Sequence, residues 1–218
     1  MSLAESVDIY CERTDASLLS EPINALSNAA FLIAAWLLWR LYRRGGGKDM
    51  EAAIMIGLIA LVGLGSLSFH TFATKGTLLA DIIPITLFIF WYLWVCLRRI
   101  TGFRNLTAFF LIVAMVAVTN LLEAVPLAYS VNGSISYFPS LAVILAMAIF
   151  TKHKNLPQAG AFLLAFACFA ISLTFRSIDM ALCASFPLGT HFLWHGLNGV
   201  LLYLLGRIIL QFPKTAAK

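Results

Sequence analysis

The sequence predicts an all-α membrane protein: a seven-transmembrane helix bundle with its N-terminus outside and its C-terminus in the cytoplasm. Three observations lead there. The chain is 61% hydrophobic and 11% charged over 218 residues, and its mean hydropathy of +0.91 exceeds that of soluble domains. Seven apolar stretches are each long enough to cross a bilayer as a helix, which takes roughly 20 residues. Of the 15 Lys and Arg, 12 fall on one side of those stretches.

Residues 1–24 are polar and acidic, lack the apolar core of a cleavable signal peptide, and are expected to form an outer N-terminal segment. Residues 25–210 form the transmembrane domain, with spans near 25–41, 53–70, 79–97, 106–125, 135–151, 156–175 and 188–210. Residues 211–218 make a short cytoplasmic tail. No internal repeat, low-complexity tract or second domain is visible.

The basic residues set the orientation. Arg40, Arg43, Arg44 and Lys48 follow the first span, and Arg98, Arg99 and Arg104 follow the third. Lys152 and Lys154 follow the fifth, and Arg207, Lys214 and Lys218 end the seventh. Only Arg13, Lys75 and Arg176 lie on the other side, so the odd number of spans puts the N-terminus outside. The net charge of +5 is a topology signal and favours anionic lipid; it is not a nucleic-acid footprint.

Acidic residues show the reverse bias: eight of ten fall on the outer side, and only Asp49 and Glu51 lie inside. On that outer side two patterns stand out. Ser66 and His70 end the second span four residues apart, with Asp81 eleven residues on. His191 and His195, also four apart, begin the seventh span. Residues four apart stack on one helical face, so two imidazoles can grip one ion. Ionisable groups at membrane depth are costly and point to function. With His70 as the third ligand, the set is the three-histidine inner shell of a catalytic zinc with one open position. Asp81, about a turn into its helix, is the best general base; Ser66 either serves the reaction or bonds back to its own backbone.

Other chemistries fit less well. Neither Ser66 nor Ser68 sits in Gly-x-Ser-x-Gly, and no glutamate lies between His191 and His195 as in the His-Glu-x-x-His zinc enzymes. Two histidines on one helix face cannot both bind one haem axially. His153, beside Lys152 and Lys154, reads as a headgroup-facing residue.

The set Ser66-x-x-x-His70, Asp81 and His191-x-x-x-His195 resembles the alkaline ceramidase family, part of a superfamily of seven-span hydrolases that includes the adiponectin receptors. Glu21-Pro-Ile-Asn24-Ala-Leu-Ser27-Asn28 matches its E-x-x-N-x-x-S-N signature, and the stretch from Phe175 through Asp179 to Cys183 is similar to the one before its last span. The resemblance covers nearly the whole chain. It implies a zinc-dependent hydrolase cleaving the amide of ceramide, or a similar N-acyl lipid, to a fatty acid and a sphingoid base. His70, His191 and His195 would hold zinc, with Asp81 and Ser66 beside the reacting water and the site toward the outer side. It also implies a Cys11–Cys183 disulfide.

Calcium enters by the same resemblance. Asp8, Glu12, Asp15 and Glu21 supply hard oxygens near the N-terminus, but the interval from Cys11 to Glu21 is short and Arg13 interrupts it. A calcium site and a solvated acidic segment are both open. Glu21 and Ser20 also suit the cap of a helix starting at Pro22. Asn24, Ser27 and Asn28 share a helix face, either bonding neighbouring helices or supporting the site. The partner expected is a membrane lipid substrate, with neither nucleic acid nor an obligate protein partner. Two alternatives remain: a hydrolase of another lipid, and a seven-span lipid or ligand receptor whose zinc is structural or residually catalytic. Short loops favour an enzyme.

Overall fold

The computed structural model describes residues 2–125 and 131–212; most of the expected tail, with Lys214 and Lys218, lies outside them. The described residues contain seven helical spans long and apolar enough to cross a membrane, and no strand. The first span is two pieces, α1 (Pro22–Ser27) and α2 (Ala29–Arg44), hinged at Asn28. Then come α3 (Met50–Phe72), α4 (Lys75–Arg99) and α5 (Asn105–Glu123). A 3₁₀ turn at Ser134–Tyr137 leads into α6 (Phe138–His153), followed by α7 (Ala159–Leu182) and α8 (His191–Gln211).

Each span packs on its sequence neighbours, and α8 returns to α2, so the seven close into a ring. Span α8 also crosses to α3, and these two are the most buried spans, whereas α5 is the least. Small residues permit the closest approaches, as expected where lipid gives no hydrophobic drive between helices. Gly199 faces Ala30, and Gly206 faces Leu38, at the α2–α8 seam. On α4, Pro84 lacks the N–H that would bond the Ala80 carbonyl. Gly65 of α3 presses on that carbonyl, and a Cβ there would lie 3.3 Å from Asp81 Cα.

Local chemistry moves several boundaries. Thr74 and Thr77 form a capping box that starts α4 at Lys75, so Asp81 lies in its second turn. Helix α3 runs two residues past His70 to a left-handed cap at Ala73 (φ 45°), whose N–H donates to the Phe69 carbonyl at 2.7 Å. The Ala73 carbonyl accepts from Val7 N–H at 2.8 Å, and Lys75 and Gly76 donate to Glu5 and Leu3. The N-terminal segment is thereby laid across the α3–α4 turn. Helix α7 continues seven residues past the expected 175, because Arg176 and Asp179 find partners inside the protein.

At the opposite end of the bundle Asp49 caps α3, accepting from the amides of Glu51 and Ala52. Arg99 at the end of α4 grips both acids, with Nη1 donating to Asp49 at 2.5 Å and Nε to Glu51 at 2.6 Å. This ion cluster locks the α3–α4 pair at the far end, while Gly65 sets their separation near the histidines.

Candidate metal centre

Two helices bring the three histidines together. His70 comes from the last turn of α3, and His191 and His195 from the first two turns of α8. One ring nitrogen from each lies within 4.8 Å of the others, and all three residues are buried. Among the described residues no other group of three or more His, Cys, Asp or Glu is arranged this way.

Hydrogen bonds on the outer edges of two rings fix which nitrogen is free. His70 Nδ1 lies 2.6 Å from Glu21 Oε2, and a carboxylate only accepts, so the proton sits on Nδ1. His70 Nε2 is left buried without a partner. On the other ring, Ser27 donates to the Asn24 carbonyl at 2.7 Å and so accepts from His195 Nδ1, also at 2.7 Å. The lone pair of His195 then resides on Nε2, 3.5 Å from Ser66 Oγ. His191 Nδ1 is also buried without a partner. Buried ring nitrogens of His70 and His191 without partners, gathered with a ring nitrogen of His195, are the donor set a transition metal requires, so the residues fit a metal ion.

Glu21 is a hub of the surrounding network. Its Oε1 takes the Arg13 Nε–H at 2.5 Å, and Oε2 takes Asn24 Nδ2 at 3.0 Å together with His70. Burial pushes the Glu21 carboxyl up, but His70, Asn24 and Arg13 outweigh it and hold it below its usual range. The helix cap expected from Glu21 or Ser20 comes instead from Glu12, whose two oxygens each accept a backbone N–H, of Ile23 and Asn24, at 2.7 Å. Ser20 Oγ accepts from the amides of Thr14 and Asp15. Asn28 donates to the Asn24 carbonyl at 2.9 Å and stabilises the hinge.

The acids near the N-terminus separate. Glu12 and Glu21 are buried, while Asp8 and Asp15 are exposed. Asp15 accepts from the Ser17 amide at 2.7 Å, and that hydroxyl-bearing turn lowers its carboxyl. Neither a solvated acidic segment nor a converging carboxylate set describes them.

Asp81 is buried in α4, with Oδ1 lacking a partner, within electrostatic reach of His70. The Gly65–Ala80 approach holds it beside α3. Cys11 and Cys183 are joined, fastening the N-terminal segment to the loop before α8. Next to that bond the fully buried Asp179 accepts from the amides of Cys11 (3.0 Å), Thr190 (2.6 Å) and His191 (2.9 Å). It therefore supplies the anion that the N-terminus of α8 requires.

Three residues here escape a reading of hydropathy and spacing. Tyr10 stacks on His191 with ring centroids 3.6 Å apart and receives Arg176 Nη1 at 2.8 Å on its hydroxyl. Burial drives the Tyr10 hydroxyl up to about 12, against the pull of Arg176, so it stays protonated. Arg176, one of the three basic residues counted on the outer side, lies among the rings of Tyr10, Tyr137 and Trp194. Arg13 is the third. The only sequence signal for Tyr10 and Arg13 is that they flank Cys11 and Glu12.

An apolar cavity begins about one helical turn from the histidines. Its walls include Val62, Ile85 and Asn198, four before Ser66, four after Asp81 and three after His195, together with Phe31 and Trp194. It continues into the bundle past Phe88, Tyr92, Phe162 and Leu202.

Fold and site define a class: a seven-span helical protein with a buried three-histidine centre above an apolar cavity. The family model for Ceramidase matches residues 6–213, and the chain belongs to the Ceramidase family. Comparison with curated proteins gives no match. Membership carries the expectation of hydrolysis at the amide of ceramide.

Proposed function

We propose that the chain is a zinc-dependent intramembrane amidohydrolase that cleaves ceramide, or a closely similar N-acyl lipid, to a fatty acid and a sphingoid base. The observation that carries the reading is the pair of outer-edge hydrogen bonds, Glu21 to His70 and Ser27 to His195, which leave inward lone pairs on rings that meet His191. His70, His191 and His195 would hold the ion. Zinc in such a site acidifies water to a pKa of roughly 7 and polarises a carbonyl.

This chain's residues supply the remainder. Asp81 Oδ1 takes a proton from the attacking water as its oxygen adds to the amide carbon. When the C–N bond breaks, the same oxygen returns that proton to the leaving nitrogen, giving the free amine and the carboxylic acid. Ser66 Oγ, beside His195 Nε2, donates to the carbonyl oxygen as negative charge develops there. The apolar cavity takes a hydrocarbon chain, which sets the amide at the level of the histidines.

The basic residues favour the N-terminus outside, with 1–24 as the outer segment, 25–210 as the membrane domain and 211–218 cytoplasmic, which puts the site toward the outer leaflet. The test is fatty-acid release from ceramide in micelles by the purified protein, read by mass spectrometry beside His195→Ala, with metal content measured in parallel. Stoichiometric zinc and release lost in the variant are expected. Zinc with no release would make ceramide the wrong substrate or favour the receptor alternative.

A further inference from the structure

The N-terminal segment already holds a cation. Arg13 is 6% exposed, and every nitrogen of its guanidinium donates to an oxygen. Nε reaches Glu21 Oε1 at 2.5 Å, and Nη1 reaches the carbonyls of Asp15 at 3.1 Å and Ser17 at 3.3 Å. Nη2 reaches the carbonyl of His70 at 3.3 Å. One carboxylate oxygen, two loop carbonyls and a carbonyl from the last turn of α3 are the kind of hard oxygens a calcium ion collects.

Those oxygens are engaged, and so are the carboxylates expected to serve calcium. Glu12 would have to release both amides of α1. Glu21 would have to release Arg13, Asn24 and His70. Asp15 faces outward onto its own turn, and Asp8 is exposed. The donor set therefore does not fit calcium. A planar guanidinium with donors in a fixed fork satisfies it.

We propose that Arg13 is the resident cation of this segment and that the segment takes no calcium. Arg13 is a positioning residue: it closes the loop from Thr14 to Ser20, fixes the Glu21 carboxylate against His70, and holds the end of α3. A single covalently attached charge does the tethering, so closure of the segment next to the histidines is independent of calcium concentration.

The test uses the full chain in detergent. Protein purified without calcium is titrated with calcium chloride by calorimetry, and its Tm is read with and without added calcium. No saturable heat and no change of Tm are expected. A stoichiometric binding heat accompanied by a raised Tm would overturn the proposal. Arg13→Gln and Arg13→Lys are compared in the same assay, with zinc retention against a competing chelator as the second readout. The glutamine variant should show a lower Tm and weaker retention, with lysine, which keeps the charge and loses the fork, in between. Wild-type Tm and retention in Arg13→Gln would equally overturn it. Should that variant fail to fold, the wild-type calcium titration still decides. Both readouts are taken on the resting protein, so the outcome does not depend on ceramide being the substrate.

Discussion

Ser27 Oγ lies 2.7 Å from His195 Nδ1 while donating its own proton to the Asn24 carbonyl, also at 2.7 Å. One hydroxyl thus converts the geometry of the α1–α2 hinge into the tautomer of a histidine on α8. Ser27→Ala removes the hydroxyl that accepts from Nδ1–H and loosens the ring. Loss of such an orienting partner typically weakens metal binding about 10–100-fold. The variant should fold normally and give up a bound metal ion to a chelator at correspondingly lower concentration. Wild-type retention would mean that Ser27 does not set the ring.

Gly65 makes a second prediction. Its missing Cβ lets α3 meet the Ala80 carbonyl, which Pro84 leaves without its helical donor. Gly65→Ala forces the helices apart next to Asp81, an overpacking that costs about 1–3 kcal/mol. Lowered Tm and a larger loss of fatty-acid release are expected. Gly57→Ala, on the same helix with nothing within 4 Å, is the control and should be close to neutral. Equal effects in the two variants would remove any special role for the Gly65 contact.

The spans were legible because hydropathy is local, and His191 and His195 because a four-residue interval is local too; His70 joined them through the common side that the chain-wide bias of Lys and Arg implies. The ends of the spans were less so. Hydropathy stops α7 near 175 because Arg176 and Asp179 are polar, yet Arg176 donates to Tyr10 and Asp179 accepts from backbone amides distant in sequence. The start of α4 depends on a Thr74–Thr77 capping box rather than on apolar content. Glu12 and Glu21 read as members of one acidic run, but Glu12 caps α1 and Glu21 orients His70. Arg13 among those acids was visible; that its guanidinium spans oxygens from the loop, Glu21 and α3 is a tertiary fact with no sequence period.

The far-end ion cluster gives a pH dependence. Burial pushes the Asp49 carboxyl up, but the Arg99 hydrogen bonds and charge, with the amides of Ala52 and Glu51, outweigh it and hold it below the usual range. A carboxyl lowered in the folded state contributes stability that is complete above its unfolded pKa, about 3.9. That contribution is lost as pH falls through the folded value. Asp49→Asn should therefore lower Tm at neutral pH, and its deficit against wild type should shrink as pH falls below about 4. Thermal melts across that window, with parallel curves as the contrary result, decide it.

Asp179 makes the strongest claim on stability. Its Oδ1 takes two amides at the start of α8 and its Oδ2 takes Cys11, all away from water. Asp179→Ala leaves three buried N–H groups unpaired, at about 1–3 kcal/mol each, and removes the negative charge facing a helix N-terminus. A large fall in Tm is expected, with metal retention lost as His191 at the first position of α8 is released. Asp179→Asn keeps one oxygen for Thr190 and His191 but turns an amide nitrogen toward Cys11 N–H, so it should fall between wild type and alanine. The disulfide cannot substitute, because Cys11 and Cys183 fasten the loop without accepting any of those protons. An alanine variant that keeps both wild-type Tm and wild-type metal retention would show that helix packing alone positions His191.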